Sequence, residues 1–298
     1  MTERTRNRAI WIVFVAFALF SATKPWLKAT PLERFFPAIT ILAPLLFVLL
    51  HGPRQIGWRR VAGFFAIAFV VSWIYETLSI ATGFPFGAYH YSDRMGPKLG
   101  EVPVLIMPAY FAVCYLSWHL ARLLLDRAGE PAGRSDHVAV PLVASFVMVM
   151  WDMSMDPARA TIGGAWIWHD GGAYFGVPFS NFMGWFLCVW TVFVAYSLLD
   201  RRMQSVRDAE AGPAPTTPRY QVIALYGALF LEFAAYAAAG VEGSVKDPAG
   251  QVWQLRDIHQ SLGLVSIFTM LFVTILAFLK VRQADRTAGA DTPRERVA

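Results

Sequence analysis

The run VAGFFAIAFVVSWIYETLSIAT, Val61–Thr82, is apolar along its length and contains a single acid, Glu76. At about 1.5 Å of rise per helical residue, such a run crosses the ~30 Å hydrocarbon core of a bilayer. Ser72, Tyr75, Glu76 and Ser79 recur at three- and four-residue intervals and so share one face of the helix. A carboxyl group at membrane depth is costly unless a bundle interior or a cavity receives it. The stretch therefore implies a membrane span and a polar interior for Glu76 to face.

Similar runs lie on both sides: Ala9–Ala22, Phe36–Leu50, Pro103–Leu125, Val138–Met155, Pro178–Leu199, Tyr220–Gly240 and Ile258–Leu279. With 56% hydrophobic and 16% charged residues, the chain has too little charge to cover a soluble surface of this size. The expectation is an all-α fold, a polytopic transmembrane bundle of about eight helices forming a single domain over residues 1–280. Within it, residues 203–218 are Pro/Ala/Thr-rich and read as a flexible cytoplasmic linker, and residues 281–298 read as a disordered cytoplasmic tail. Arg4, Arg6 and Arg8 precede the first run, but no small-x-small cleavage site follows it, so it reads as a helix that stays.

Basic residues orient the bundle. Eighteen of the 26 lie at the termini and in alternate loops, against eight in the remaining loops. The positive-inside rule then puts both termini in the cytoplasm of a multi-pass cell-membrane protein. The partner this implies is the lipid bilayer, and no nucleic acid. Cys114 and Cys188 lie inside apolar runs, which gives no disulfide framework.

The cytoplasmic segments are plain and the outward loops are not. Asp156–Val177 carries Trp166-Ile167-Trp168 and Ala173-Tyr174-Phe175 around His169-Asp170-Gly171-Gly172. Turn formers between aromatic triplets predict a short hairpin over the helix ends. The helix before this loop is expected to end at Asp156, because Pro157 disfavours helix in the residue before it.

Candidate reactive groups gather at one level near the outer leaflet: Glu76, Asp152, Asp156, Asn181 and His259. Glu232 lies deeper, with Tyr236 one turn on. Each has a plainer reading. Asp156 marks a helix end, Glu232 hydrogen-bonds between helices, Asp257 and His259 cap the last helix, and Trp166, Trp168, Tyr89 and Tyr91 form an interfacial belt. Glu76 and Asp152 are favoured as functional.

No two of the six histidines lie within five residues of each other, which excludes the clustered histidine boxes of membrane di-iron enzymes. His90, His169 and His259 come from separate loops, so no metal site is expected. No lysine sits mid-helix to carry a retinal Schiff base. Phosphate-binding and dinucleotide fingerprints are absent, and no cofactor is implied.

Tyr75-Glu76, Gly83–Tyr91, Leu99–Pro103, Trp151-Asp152, Asp156-Pro157, Gly164–Trp168, Tyr174–Pro178 and Asn181–Trp185 together resemble the integral-membrane carotenoid biosynthesis protein family. The resemblance covers about residues 60–200 and none of the first two helices, the linker or the tail. The family's characterised members are acyclic carotenoid 1,2-hydratases. The resemblance implies a carotenoid substrate, water as the second reactant, and no redox cofactor.

Hydration of that kind needs a proton for C2 of the alkene and water for the tertiary cation left at C1. On the sequence, Asp152 is assigned as proton donor, Glu76 as the base that positions water, and Asn181 as a water-orienting partner. Asp156 stands as a further catalytic candidate. Trp151, Trp166, Trp168, Tyr89, Tyr91, Tyr174 and Glu232 are expected to bind the substrate, with ring faces stabilising the cation. Three other readings use the same residues: a carotenoid end-group cyclase or isomerase, a proton-coupled transporter, and a passive pigment-binding protein.

Overall fold

The structure is a computed structural model, and it describes residues 1–127, 136–203 and 216–290. Eight rods are present among the described residues. They are α1 (Glu3–Leu27), α2 (Phe36–Gln55), α3 (Trp58–Thr82), α4 (Ile106–Leu124), α5 (Asp136–Pro157), α6 (Phe179–Met203), α7 (Thr216–Ala239) and a last rod of α8 (Leu255–Ser266) and α9 (Phe272–Ala290) joined by a π turn, Ile267–Leu271. All eight apolar runs are helices. Seven rods are long and apolar enough to cross a membrane. The protein is a multi-pass membrane protein.

The rod outside that set, α4, has a reason for its polarity. It packs on α2, α3, α5, α7 and α9, and most side chains from Met107 to Leu123 are buried, including all of Tyr110–Trp118. Tyr110, Tyr115, Ser117 and Trp118 can therefore replace aliphatic residues, because protein surrounds this helix on most sides. The outer rods instead expose Leu42, Leu46, Val70, Ile74, Phe146, Phe268 and Ile275, an apolar surface suited to acyl chains.

Two helix boundaries differ from expectation. α1 runs past Ala22 to Leu27 and carries Lys24 into a buried position, although Lys24 reads from the sequence as a loop residue. α5 does not stop at Asp156. It continues through Pro157 into a π turn, Ala158–Ile162, and ends at Gly163-Gly164. Pro157 lacks an amide proton, but surrounding protein compensates for lost backbone bonds in membrane helices, and wide turns of this type often accompany functional positions.

The aromatic loop contributes to a ribbon, but not to the local hairpin that its own sequence predicts. Strand β4 (Trp166–Trp168) pairs antiparallel with β1 (Tyr89–Tyr91) from the preceding loop, with Tyr89 opposite Trp168, His90 opposite Ile167 and Tyr91 opposite Trp166. Alternation decides the register: Tyr89, Tyr91, Trp166 and Trp168 are buried on one face, and His90 lies on the other. The segment expected to be the second strand, around Tyr174, makes only a single bridge to Val177. Two further ribbons pair β2 (Lys98–Leu99) with β3 (Val102–Pro103) and β5 (Ser244–Lys246) with β6 (Val252–Gln254).

Helix α9 reaches Ala290, which lies within the stretch read as a tail; residues 291–298 and linker residues 204–215 lie outside those described.

Gly172 holds the aromatic loop against the start of α6. A Cβ there would stand 2.1 Å from the carbonyl of Val177 and 2.3 Å from the nitrogen of Pro178, all backbone atoms that cannot yield cheaply. Gly172→Ala is expected to lower stability by about 1–3 kcal/mol, or more if the loop detaches. Thermal unfolding in detergent would read this, and an unchanged Tm would refute the close approach.

Candidate functional site

A cavity of about 470 Å³ lies among α1 to α8, with the β1–β4 ribbon along part of its wall. Its walls include Glu76, Asp156, Asn181, Trp151, Trp166, Trp168, Trp185, Tyr89, Tyr91 and Tyr110 at one end. Lys24, Arg159, Glu232, Tyr236 and His259 stand in the same walls, and Phe17, Phe36, Ile41 and Leu229 supply apolar surface. The space is too small for a whole polyene and large enough for a branched end group.

Glu76, 3% exposed, sits in a cage of phenols. Tyr91 donates to Oε2 at 2.8 Å and Tyr110 donates to Oε1 at 2.8 Å. Tyr89 donates to Oε2 as well. Two of these phenols come from β1, so the ribbon register aims them at Glu76. Burial first, and then the charge of Glu76, pushes the hydroxyls of Tyr89 and Tyr91 well above the ordinary phenol range. Both therefore stay protonated at physiological pH.

Asp156, 1% exposed, has a different environment. Its Oδ1 accepts from the indole nitrogens of Trp166 at 3.0 Å and Trp168 at 3.2 Å, and its Oδ2 accepts from Asn181 Nδ2 at 2.6 Å. Those three groups can only donate, so they select the ionised carboxylate. A phenol hydroxyl can donate or accept, so the Glu76 cage tolerates either protonation state. The two acids are chemically distinct although both are buried.

Asp152 lies one helical turn from Asp156 and is fully buried, but it is absent from the cavity wall. Its Oδ2 is 3.4 Å from Asn181 Nδ2, and its Oδ1 has no hydrogen-bond partner. Asn181 thus bridges both acids, with Asp156 the one that faces the space. Tyr174 also stands outside the wall and packs on Phe175 and Phe182; its phenol is pushed up to about 12 by burial and by the charge of Asp152.

Several participants were not singled out from the sequence. Tyr110 on α4 stacks flat on Trp185 at 4.4 Å while donating to Glu76, and Trp185 meets Trp151 edge-on at 6.2 Å. A hydroxyl-bearing ring inside the Pro103–Leu125 run was the available signal for Tyr110. Glu232 is ion-paired rather than lightly hydrogen-bonded: Lys24 Nζ reaches Oε1 at 2.8 Å, and Arg159 Nη2 reaches Oε1 and Oε2 at 2.8 and 2.9 Å. Arg159 sits in the π turn that continues α5, and a lone basic residue in a loop gave no reason to pair it with α7. His259 does not cap α8, whose capping position is Gln254; it stacks on Tyr236 at 4.8 Å. His90 Nδ1 and His169 Nε2 meet at 2.8 Å, and His259 is in the cavity wall that includes neither of them.

A family model described as carotenoid biosynthesis protein matches residues 35–245, most of the chain. The bisanhydrobacterioruberin hydratase of Haloarcula japonica is 33% identical over 174 residues. That alignment takes in 50% of this chain and 57% of the relative, so the chain spans little more than half of the relative's length. No solved structure matches.

Proposed function

Because the chain belongs to the carotenoid biosynthesis protein family, we propose that it is a carotenoid hydratase, adding water across the terminal C1–C2 double bond of an acyclic end group to give a tertiary alcohol. The observation that carries this reading is the placement of two unlike carboxyl groups, Glu76 and Asp156, in the wall of one indole-lined cavity. The name of the similar haloarchaeal protein, a hydratase, supports the reaction class.

Glu76 is the proton donor and Asp156 the base, with Asn181 orienting the water. Glu76 fits the first role because its phenol cage accommodates the acid before transfer and the carboxylate after it. The proton bonds to C2, the alkene π electrons leave C1 cationic, and the faces of Trp185, Trp151 and Trp168 stabilise that charge. Water then bonds through oxygen to C1, Asp156 takes the released proton, and water in the cavity carries that proton from Asp156 back to Glu76 before the next turnover. The sum is alkene plus water to alcohol, with no net redox change and no requirement for a redox cofactor. Relative to the sequence-based assignment, Glu76 changes from base to acid, and Asp152 becomes a support behind Asn181, since it does not face the cavity. With both termini cytoplasmic, this chemistry lies on the outward half of the bundle.

Expression in a lycopene-producing host tests the reading. The product should gain the mass of one water, with oxygen from labelled water. A product of unchanged mass would instead indicate a cyclase or isomerase, and oxygen from molecular oxygen would remove the hydratase reading. Tyr110→Phe keeps the stack on Trp185 and removes one hydrogen bond to Glu76. A hydrogen bond to a charged group contributes ~1.5–3 kcal/mol, so turnover should fall roughly 10- to 100-fold, read as kcat with KM little changed.

A further inference from the structure

We propose that the ion cluster of Lys24, Arg159 and Glu232, together with His259, is the water inlet of this cavity, so that water and polyene reach the reacting carbon along different walls. The inference rests on the hydratase reading and extends it to the route of the second reactant.

Three observations carry it. First, the cluster lies in the wall of the same cavity as Glu76 and Asp156, and that wall also includes the exposed residues Lys28, Glu33 and Arg94. A charged surface therefore connects solvent to the carboxyl end. Second, the cluster is unbalanced. Lys24 Nζ takes Glu232 Oε1 at 2.8 Å and Thr40 Oγ1 at 3.4 Å, and Arg159 takes both oxygens of the same carboxylate. Two cations thus share one anion, and Arg159, 28% exposed, completes its solvation with water. Third, His259 is 6% exposed, stacks on Tyr236, lines the cavity, and leaves Nε2 without a partner. Buried polar atoms in a roomy polar site are where ordered water resides.

A hydrocarbon cannot displace water from such a surface without stripping those charges of solvation. The polyene has its own apolar surface in Phe17, Ile41 and Leu229, while Phe36 belongs to the charged side, its ring centroid lying 5.5 Å from Lys24 Nζ. Water thus waits beside Asp156 and Asn181, while the alkene arrives against the indoles. Such an arrangement also limits premature capture: the cation forms among the rings and meets water from one side.

Arg159→Met and His259→Phe are the informative substitutions, because both leave the Lys24–Glu232 pair in place and the second keeps the stack on Tyr236. Purified full-length protein in liposomes would be given lycopene and labelled water. Each variant should form alcohol at least about tenfold more slowly with KM for lycopene unchanged; Tm should match wild type for His259→Phe and fall for Arg159→Met, which gives up both bonds to Glu232. Among its products, double-bond-shifted alkene should increase, because a cation that meets no water loses a proton instead. Arg159→Lys should restore most of the rate. Wild-type alcohol formation in both variants would overturn the inlet, and so would a raised KM with kcat intact, which would mean that the cluster holds the polyene. If wild-type protein forms no labelled alcohol, the hydratase reading itself fails and the inlet fails with it.

Discussion

Glu76→Gln is expected to lower alcohol formation by about 10²–10⁴-fold, the usual contribution of a positioned acid or base. The amide keeps the size of the side chain and can still accept from the tyrosine hydroxyls around it, so the bundle should fold and bind polyene as before. It cannot supply a proton to C2. The loss should therefore appear in kcat, and a single-turnover assay with lycopene in liposomes would measure it. Asp152→Asn is the control, since Asp152 stands behind Asn181 and outside the cavity wall. It should cost less than about tenfold. Equal losses at the two positions, or full activity in Glu76→Gln, would overturn the assignment of the acid.

Glu232→Ala should have the largest effect on stability. It leaves Lys24, whose side chain is 2% exposed, and Arg159 facing each other with no anion between them. Removing one partner of a buried ion pair costs about 3–5 kcal/mol, mostly the cost of the charge left behind. Pairing the change with Lys24→Met should recover most of that loss, because Arg159, 28% exposed, can turn toward water. Thermal unfolding of the single and double variants in detergent measures both terms. A single variant as stable as wild type would show that the cluster contributes nothing to holding α1, α5 and α7 together.

The membrane fold was legible because a bilayer imposes a length: apolar runs of helical span are visible without any knowledge of partners. All eight runs are helices, and their mean hydropathy misleads only at α4, whose surroundings are protein rather than lipid. Glu76 was legible for a related reason, since an acid on a polar stripe of an apolar helix must face inward. Asp156 and Asn181 were in view as well, and the structure joins them directly.

Pairings between distant segments were not legible. Trp166–Trp168 alternates in a way that fits any aromatic strand, and nothing local favours Tyr89–Tyr91 over the nearer Tyr174 segment. Asp152 and Asp156 sit four residues apart, so the sequence puts both on one face of α5 without saying which reaches the cavity. Packing of α5 against α4, α6 and α8 sets the level at which the helix meets the cavity, and only Asp156 meets it. Lys24 and Arg159 carry no sign of their shared partner, because an ion pair across three helices leaves no periodicity in any one of them. The chain by itself determined the spans and the buried acids, since both follow from the cost of placing polar groups in hydrocarbon. Tertiary structure alone decided which acid meets the cavity, because that depends on how separate helices pack against each other.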